Sequence, residues 1–163
     1  MTPEREQVQQ AFPHAYLLIN EFIIWHLRRV YERFEGDLEA ALILGEIAHF
    51  NVHRILMRYP EPSTELTEML DQQGELYSEA PELNPLVRYC NALSISAATG
   101  IPRETVRRKI KWLEQRGWIS KDDKGRLSVT KRPSQEFRAF NEEMVEAFLL
   151  LSDRVNEVLE RKR

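Results

Sequence analysis

Four cations stand at 103, 107, 108 and 111, interleaved with the apolar residues Val106, Ile110 and Leu113. At 100° per residue the apolar three share one stripe of a helix, and Glu104, Arg107, Arg108 and Lys111, flanked by Arg103, fall on the opposite side. An arginine presents a planar fork that can grip guanine O6 and N7 together or clamp a phosphate, while a lysine supplies a point charge. A helix held rigidly by three apolar anchors, with a basic outward face, has the shape and charge to lie in the major groove of a duplex.

The charge distribution sharpens this reading. The chain has 163 residues, a net charge of −3 and a pI near 5.9, values that do not themselves announce a polyanion partner. Between Leu86 and Arg132, however, twelve basic residues face four acidic ones, a local balance of +8 that leaves −11 on the remainder. A positive field confined to one stretch is what phosphate binding requires, and acidic surroundings limit non-specific adhesion.

The elements that must position these residues follow from local signals. Asn91 suits the N-cap of a first short helix, with Ile95 and Ala98 facing inward, and Gly100 permits the sharp turn that follows. Ile101 plugs the corner, and Pro102 fits the first position of the basic helix, 102–116, where a missing N–H costs nothing. Gly117 closes that helix. Trp118–Ser120 and Arg126–Thr130 read as two short strands, with Asp122-Asp123-Lys124-Gly125 as the turn between them. Lys121, Lys124 and Arg126 then place charge on a tip spanning 121–126, suited to the sugar-phosphate backbone or the minor groove.

Around this module lie longer helices. Residues 1–13 are polar, contain two prolines and read as a fraying arm. Leu17, Leu18, Phe22, Trp25, Val30 and Phe34 recur at helical spacing to about residue 34, ending at Gly36. Asp37 is a good N-cap for a second helix, 38–58, apolar around much of its circumference and stopped by Pro60 and Pro62. From 60 to 85 the composition turns to Glu, Ser, Thr, Gln and Pro, with one or two amphipathic turns expected over 64–77. Ser134 is expected to cap a last helix to about Glu160, along which Phe137, Asn141, Met144, Phe148, Leu151, Val155 and Val158 form a heptad-like seam. That seam is expected to pair two copies of the chain; packing on the N-terminal helices of the same chain is the alternative use.

The run Ser96, Gly100-Ile101, Thr105-Val106-Arg107-Arg108, Ile110, Leu113 and Gly117-Trp118-Ile119 resembles the winged helix-turn-helix of bacterial transcriptional regulators. In that group a small residue, three others, a glycine and an apolar residue precede a Thr-Val-x-Arg helix, which ends in Leu-x-x-x-Gly and an apolar strand. Helical segments on both sides resemble the MarR-like plan; Ser96 replaces the more usual alanine. The resemblance covers about a quarter of the chain and implies operator binding by a dimer, with Arg103, Arg107, Arg108 and Lys111 in groove-facing positions.

Other constellations are weaker. His49 and His53 are four apart, with Glu46 one turn earlier, a spacing that could serve a metal sensor but lacks a further ligand. Cys90 is the single cysteine, a candidate thiol switch or simply a small buried residue, and it cannot close an intramolecular disulfide. Phe22, Trp25, Tyr31 and Phe50 could line an effector pocket, though aromatics at helical spacing are first of all core. No Walker loop, Gly-x-Ser-x-Gly elbow, His-Glu-x-x-His or dinucleotide turn occurs, so no enzyme and no cofactor is expected. The opening MTPEREQVQQ lacks the apolar core of a secretion signal, and the longest apolar run, AYLLINEFIIW, is broken by Asn20 and Glu21.

The expectation is a mostly α-helical, cytoplasmic homodimer with no membrane association: a helical body over 1–62, a linker over 63–85, a winged helix-turn-helix over 86–132 and a dimerisation helix over 133–163. Its expected partner is double-stranded DNA, with room for a small-molecule effector. The competing readings are a plasmid or phage replication or partition factor using the same contacts, and a winged-helix docking module without DNA, which would have no need of a basic face.

Overall fold

The computed structural model describes residues 5–58, 61, 64 and 88–160; the expected turns over 64–77 fall almost wholly outside them. The chain is mostly helical, with a small antiparallel sheet: α1 (Arg5–Arg33), α2 (Leu38–Arg58), α3 (Ala92–Thr99), α4 (Arg103–Gln115), β1 (Ile119–Lys121), β2 (Leu127–Val129), α5 (Lys131–Glu136) and α6 (Arg138–Glu160). Two compact units result, one built from α1 and α6, the other from α2 through α5. No helix among the described residues is long and apolar enough to cross a membrane.

In the first unit α1 begins at Arg5, not near His14, and runs straight through Pro13. From residue 5 onward the expected fraying arm is therefore helix. A proline forfeits one backbone hydrogen bond, but Ala11, just before it, is 1% exposed in a cluster with Leu18 and Val158, and that burial holds the first turns. Leu151, Val155 and Leu159 complete the cluster, so the C-terminal half of the heptad seam packs onto α1 of the same chain. At the other end Phe137 meets Phe34, with ring centroids 5.6 Å apart. Arg29 stacks over Trp25 and Phe140 and pairs with Glu143, tying the two helices together.

Ser134 does not cap the last helix. It lies inside α5, where its hydroxyl donates to the Lys131 carbonyl at 2.7 Å, and the chain breaks at Phe137 before α6 starts. The break turns Phe137 inward onto Phe34.

In the second unit Asp37 caps α2 as its sequence context predicts: Oδ1 accepts the Ala40 amide at 2.9 Å. Ala40, Ile43, Leu44 and Ile47 supply the buried stripe of α2, and Ile95, Val106, Ile110, Leu113, Trp118, Ile119, Leu127 and Val129 form the apolar interior of the neighbouring elements. β1 is shifted by one residue from its sequence reading and β2 is shorter by one residue at each end, with Ile119 opposite Val129 and Lys121 opposite Leu127. Cys90 makes an isolated bridge on the far edge of β2, its carbonyl accepting the Leu127 amide at 2.8 Å.

Candidate nucleic-acid interface

Helices α3 and α4 are joined by a tightly bonded corner. Asn91 caps α3 by accepting the Leu93 and Ser94 amides at 2.9 and 3.0 Å. Gly100 sits at φ 72°, the left-handed region that disfavours any side chain. Ser96 donates its hydroxyl to the Ile101 carbonyl at 2.7 Å, and Thr99 Oγ1 accepts the Ile101 amide at 3.2 Å. A serine at 96 thus fastens the turn, a contact an alanine could not make. Ile95 is fully buried as expected, whereas Ala98 is exposed.

Val106, Ile110 and Leu113 are buried to 4% exposure or less and fix the roll of α4. Pro102 stands at the N-cap with φ −55°, one position before the helix proper. The ribbon tip is organised by Asp122: its Oδ1 accepts the amides of Lys124 at 3.0 Å and Arg126 at 2.8 Å, and its carbonyl accepts the Gly125 amide at 2.8 Å. Gly125, at φ 75°, supplies the left-handed residue the turn needs.

Between the side of α4 and the ribbon lies an open groove of about 730 Å³. Arg103, Arg107 and Lys111 line it from the helix, Lys121 and Lys124 from the ribbon, and Asn91 through Leu93 close one end. These five cations are separated by up to 21 residues in sequence, and the ribbon brings them around one channel. Arg107 is held by Glu104 at 2.7 Å and Lys121 lies 3.8 Å from Glu114; Arg103, Lys111 and Lys124 make no ion pair among the described residues. Exposed pairs of this kind contribute little and exchange readily for a phosphate.

The remaining candidates divide. Glu104 is on the outer surface and orients Arg107. Thr105 and Arg108 do not line the groove; Arg108 is exposed and contributes to the field at Asp37. Arg126, expected at the tip, is engaged structurally instead: its Nε donates to Asp122 Oδ2 at 2.5 Å and its guanidinium lies 4.7 Å from the Tyr89 ring. The tip charge therefore rests on Lys121 and Lys124.

Two further cations of the basic stretch are spent on architecture. Lys109 is 16% exposed and donates to Asp37 Oδ2 at 2.5 Å, with Glu39 at 3.6 Å, which links α4 to the start of α2. Burial alone would raise the Asp37 carboxyl, yet the hydrogen bonds from Lys109 and the Ala40 amide and the charge of Arg108 hold it below its ordinary value. Arg116 packs over Trp112 at 4.1 Å and Trp118 at 5.3 Å.

One residue with no signal in the basic motif positions the ribbon. Asn51 on α2 is 0% exposed; its Nδ2 donates to the carbonyls of Arg88 at 3.1 Å and Leu127 at 3.3 Å, and its Oδ1 accepts the Val129 amide at 2.9 Å. A single side chain thus joins α2, the edge segment at Arg88 and β2. The signal was present: Asn51 continues the stripe of Ile43 and Ile47 at spacings of four, a polar amide where an apolar residue belongs.

The other sequence candidates remain apart from this groove. His49 and His53 stack edge to face, with ring centroids 6.0 Å apart, and among the described residues no group of three or more His, Cys, Asp or Glu is placed to hold a metal. Phe22 and Trp25 line a shallow apolar pocket of about 250 Å³ within the α1–α6 unit, while in the other unit Phe50 lies under the Arg88 guanidinium at 5.2 Å. Cys90 is 4% exposed, and burial, reinforced by Glu46, pushes its thiol up to about 12. Because only the thiolate reacts, Cys90 is expected to resist alkylation in the folded chain at mildly alkaline pH, roughly 1000-fold below its rate in denaturant. A time course of iodoacetamide labelling checks this, and rapid labelling of the folded chain would restore the thiol-switch reading.

The chain matches no family model, no curated protein and no solved structure.

Proposed function

We propose that this chain is a double-stranded DNA-binding regulator in which α3, the Gly100 turn, α4 and the β1–β2 ribbon act as a winged helix-turn-helix. The observation that carries this reading is the groove itself: Arg103, Arg107 and Lys111 on one wall and Lys121 and Lys124 on the other surround a channel open to a polyanion. The helix N-terminal half would enter the major groove, with arginine reading guanine edges, and the ribbon lysines would hold the adjacent backbone. Electrostatics supplies most of the affinity, and the rigid helix supplies the register. No chemical step is assigned to the chain; its output is occupancy of a DNA site.

A docking role without nucleic acid would leave five cations around one groove with no function, which favours the DNA reading. Selection from a pool of randomised duplexes tests it. The expected product is an enriched site containing two inverted half-sites about one helical turn apart, the spacing a symmetric pair of readers imposes. Failure of the pool to enrich at low salt would overturn the assignment.

A further inference from the structure

The inner side of α1 is covered by α6, but its outer side is not. Phe12, Tyr16, Ile19, Ile23 and Leu27 are all 40% exposed or more, and Val8 and Tyr31 extend the stripe at both ends. At 100° per residue these side chains fall within one broad face, roughly opposite to or beside Ala11 and Leu18. No charged residue interrupts the stripe between Val8 and Tyr31.

The order of residues along it has a symmetry. Reading outward from the peptide between Ile19 and Asn20, the stripe positions match in pairs: Ile19 with Asn20, Tyr16 with Ile23, Phe12 with Leu27 and Val8 with Tyr31. An antiparallel pairing of two identical helices about a two-fold axis demands this, since residue i of one copy meets residue j of the other and j meets i. The polar residue at the centre, Asn20, lies at the axis, where its amide can bond across to the other copy and fix the register.

The area is sufficient. Taking about 150–250 Å² for a whole aromatic side chain, the half-exposed stripe offers on the order of 600 Å² per chain, and two stripes together roughly 1,200 Å², the lower end of stable interfaces. The outer side of α6 is a poorer candidate, because Glu142, Glu146, Asp153 and Glu157 are exposed there and would face like charges in a symmetric pair. The C-terminal part of the α6 seam, Leu151, Val155 and Val158, is in any case turned toward α1.

We infer that the outer face of α1 docks a second copy of this chain, antiparallel, about an axis between Ile19 and Asn20. The inference locates the pairing that the proposed regulator uses, but it stands on α1 alone and is tested without DNA. Light scattering on the full chain should give twice the 19.3 kDa chain mass, and Ile19→Asp/Ile23→Asp should return it to the monomer mass with unchanged far-UV circular dichroism.

Cysteine cross-linking at single stripe positions tests the geometry. Asn20→Cys should cross-link to itself under mild oxidation. Phe12→Cys should not, because its two copies would lie roughly 22 Å apart at 1.5 Å per residue, beyond the reach of a disulfide; mixed with Leu27→Cys it should cross-link. A monomeric wild-type chain, a dimer that survives Ile19→Asp/Ile23→Asp, or self-cross-linking of Phe12→Cys would each overturn the inference. A chain that dimerises this way and binds no duplex would overturn the proposed function and leave the interface standing.

Discussion

Asn51→Leu is expected to destabilise the unit containing the ribbon by about 3–5 kcal/mol, since the Arg88 and Leu127 carbonyls and the Val129 amide lose their partner together and each stranded group costs about 1–3 kcal/mol. Leucine is close to asparagine in volume, so the change reads the lost hydrogen bonds more than a cavity. For a domain of this size the loss lowers the melting temperature by roughly 15 °C or more. Asn51→Asp should be no better, because a carboxylate keeps the Val129 amide but turns an anion toward two carbonyl oxygens. Thermal unfolding followed by circular dichroism checks both variants. A shift of only a degree or two would mean that the ribbon is held by its apolar contacts and that Asn51 is dispensable.

The second large effect concerns binding. Arg103→Glu/Lys111→Glu reverses two groove cations that make no ion pair among the described residues, and affinity for duplex DNA is expected to fall by on the order of 1000-fold, through two lost phosphate or base contacts and two new repulsions. Both side chains are exposed, so stability should change by less than about 0.5 kcal/mol. The ribbon offers a contrast. Lys124→Ala should weaken all duplexes alike and reduce the salt slope by about one, whereas substitutions on α4 should also alter sequence preference. Equal affinity of the double variant and the parent would remove the groove from the account.

Much of the second unit was legible in the sequence because its signals are local. Asn91, Gly100, Asp37 and the Val106-Ile110-Leu113 stripe each act within one or two turns of helix, and the structure uses them as their chemistry suggests. Sequence reasoning failed where a distant partner decides. The start of α1 depends on Ala11 being covered by Val158 and its neighbours, nearly 150 residues away, which outweighs Pro13. The seam of α6 is a valid periodicity, but which helix covers it is not a local property.

The same limit applies to the site. Charge counting could not tell that Lys109 is committed to Asp37, Arg126 to Asp122 and Tyr89, and Arg116 to two tryptophans, leaving a smaller set of cations at the groove. Nor could it tell that Arg108 and Thr105 do not line the groove. The groove is defined by the ribbon's return path, and that path is set by Asn51, which lies outside the basic motif altogether.

The salt dependence of duplex binding reads out whether the groove takes up phosphates. Fluorescence anisotropy of a labelled duplex, titrated with the wild-type chain at 50 and 200 mM NaCl, counts the phosphates that the groove neutralises. Five cations imply a slope of roughly −4.5 in log K against log salt for each chain engaged, a loss of about 500-fold over that range, and roughly twice that slope on a duplex that engages both chains of a dimer. Saturable binding with that steep loss is the expected result; no saturable binding at 50 mM, or an affinity indifferent to salt, would contradict it.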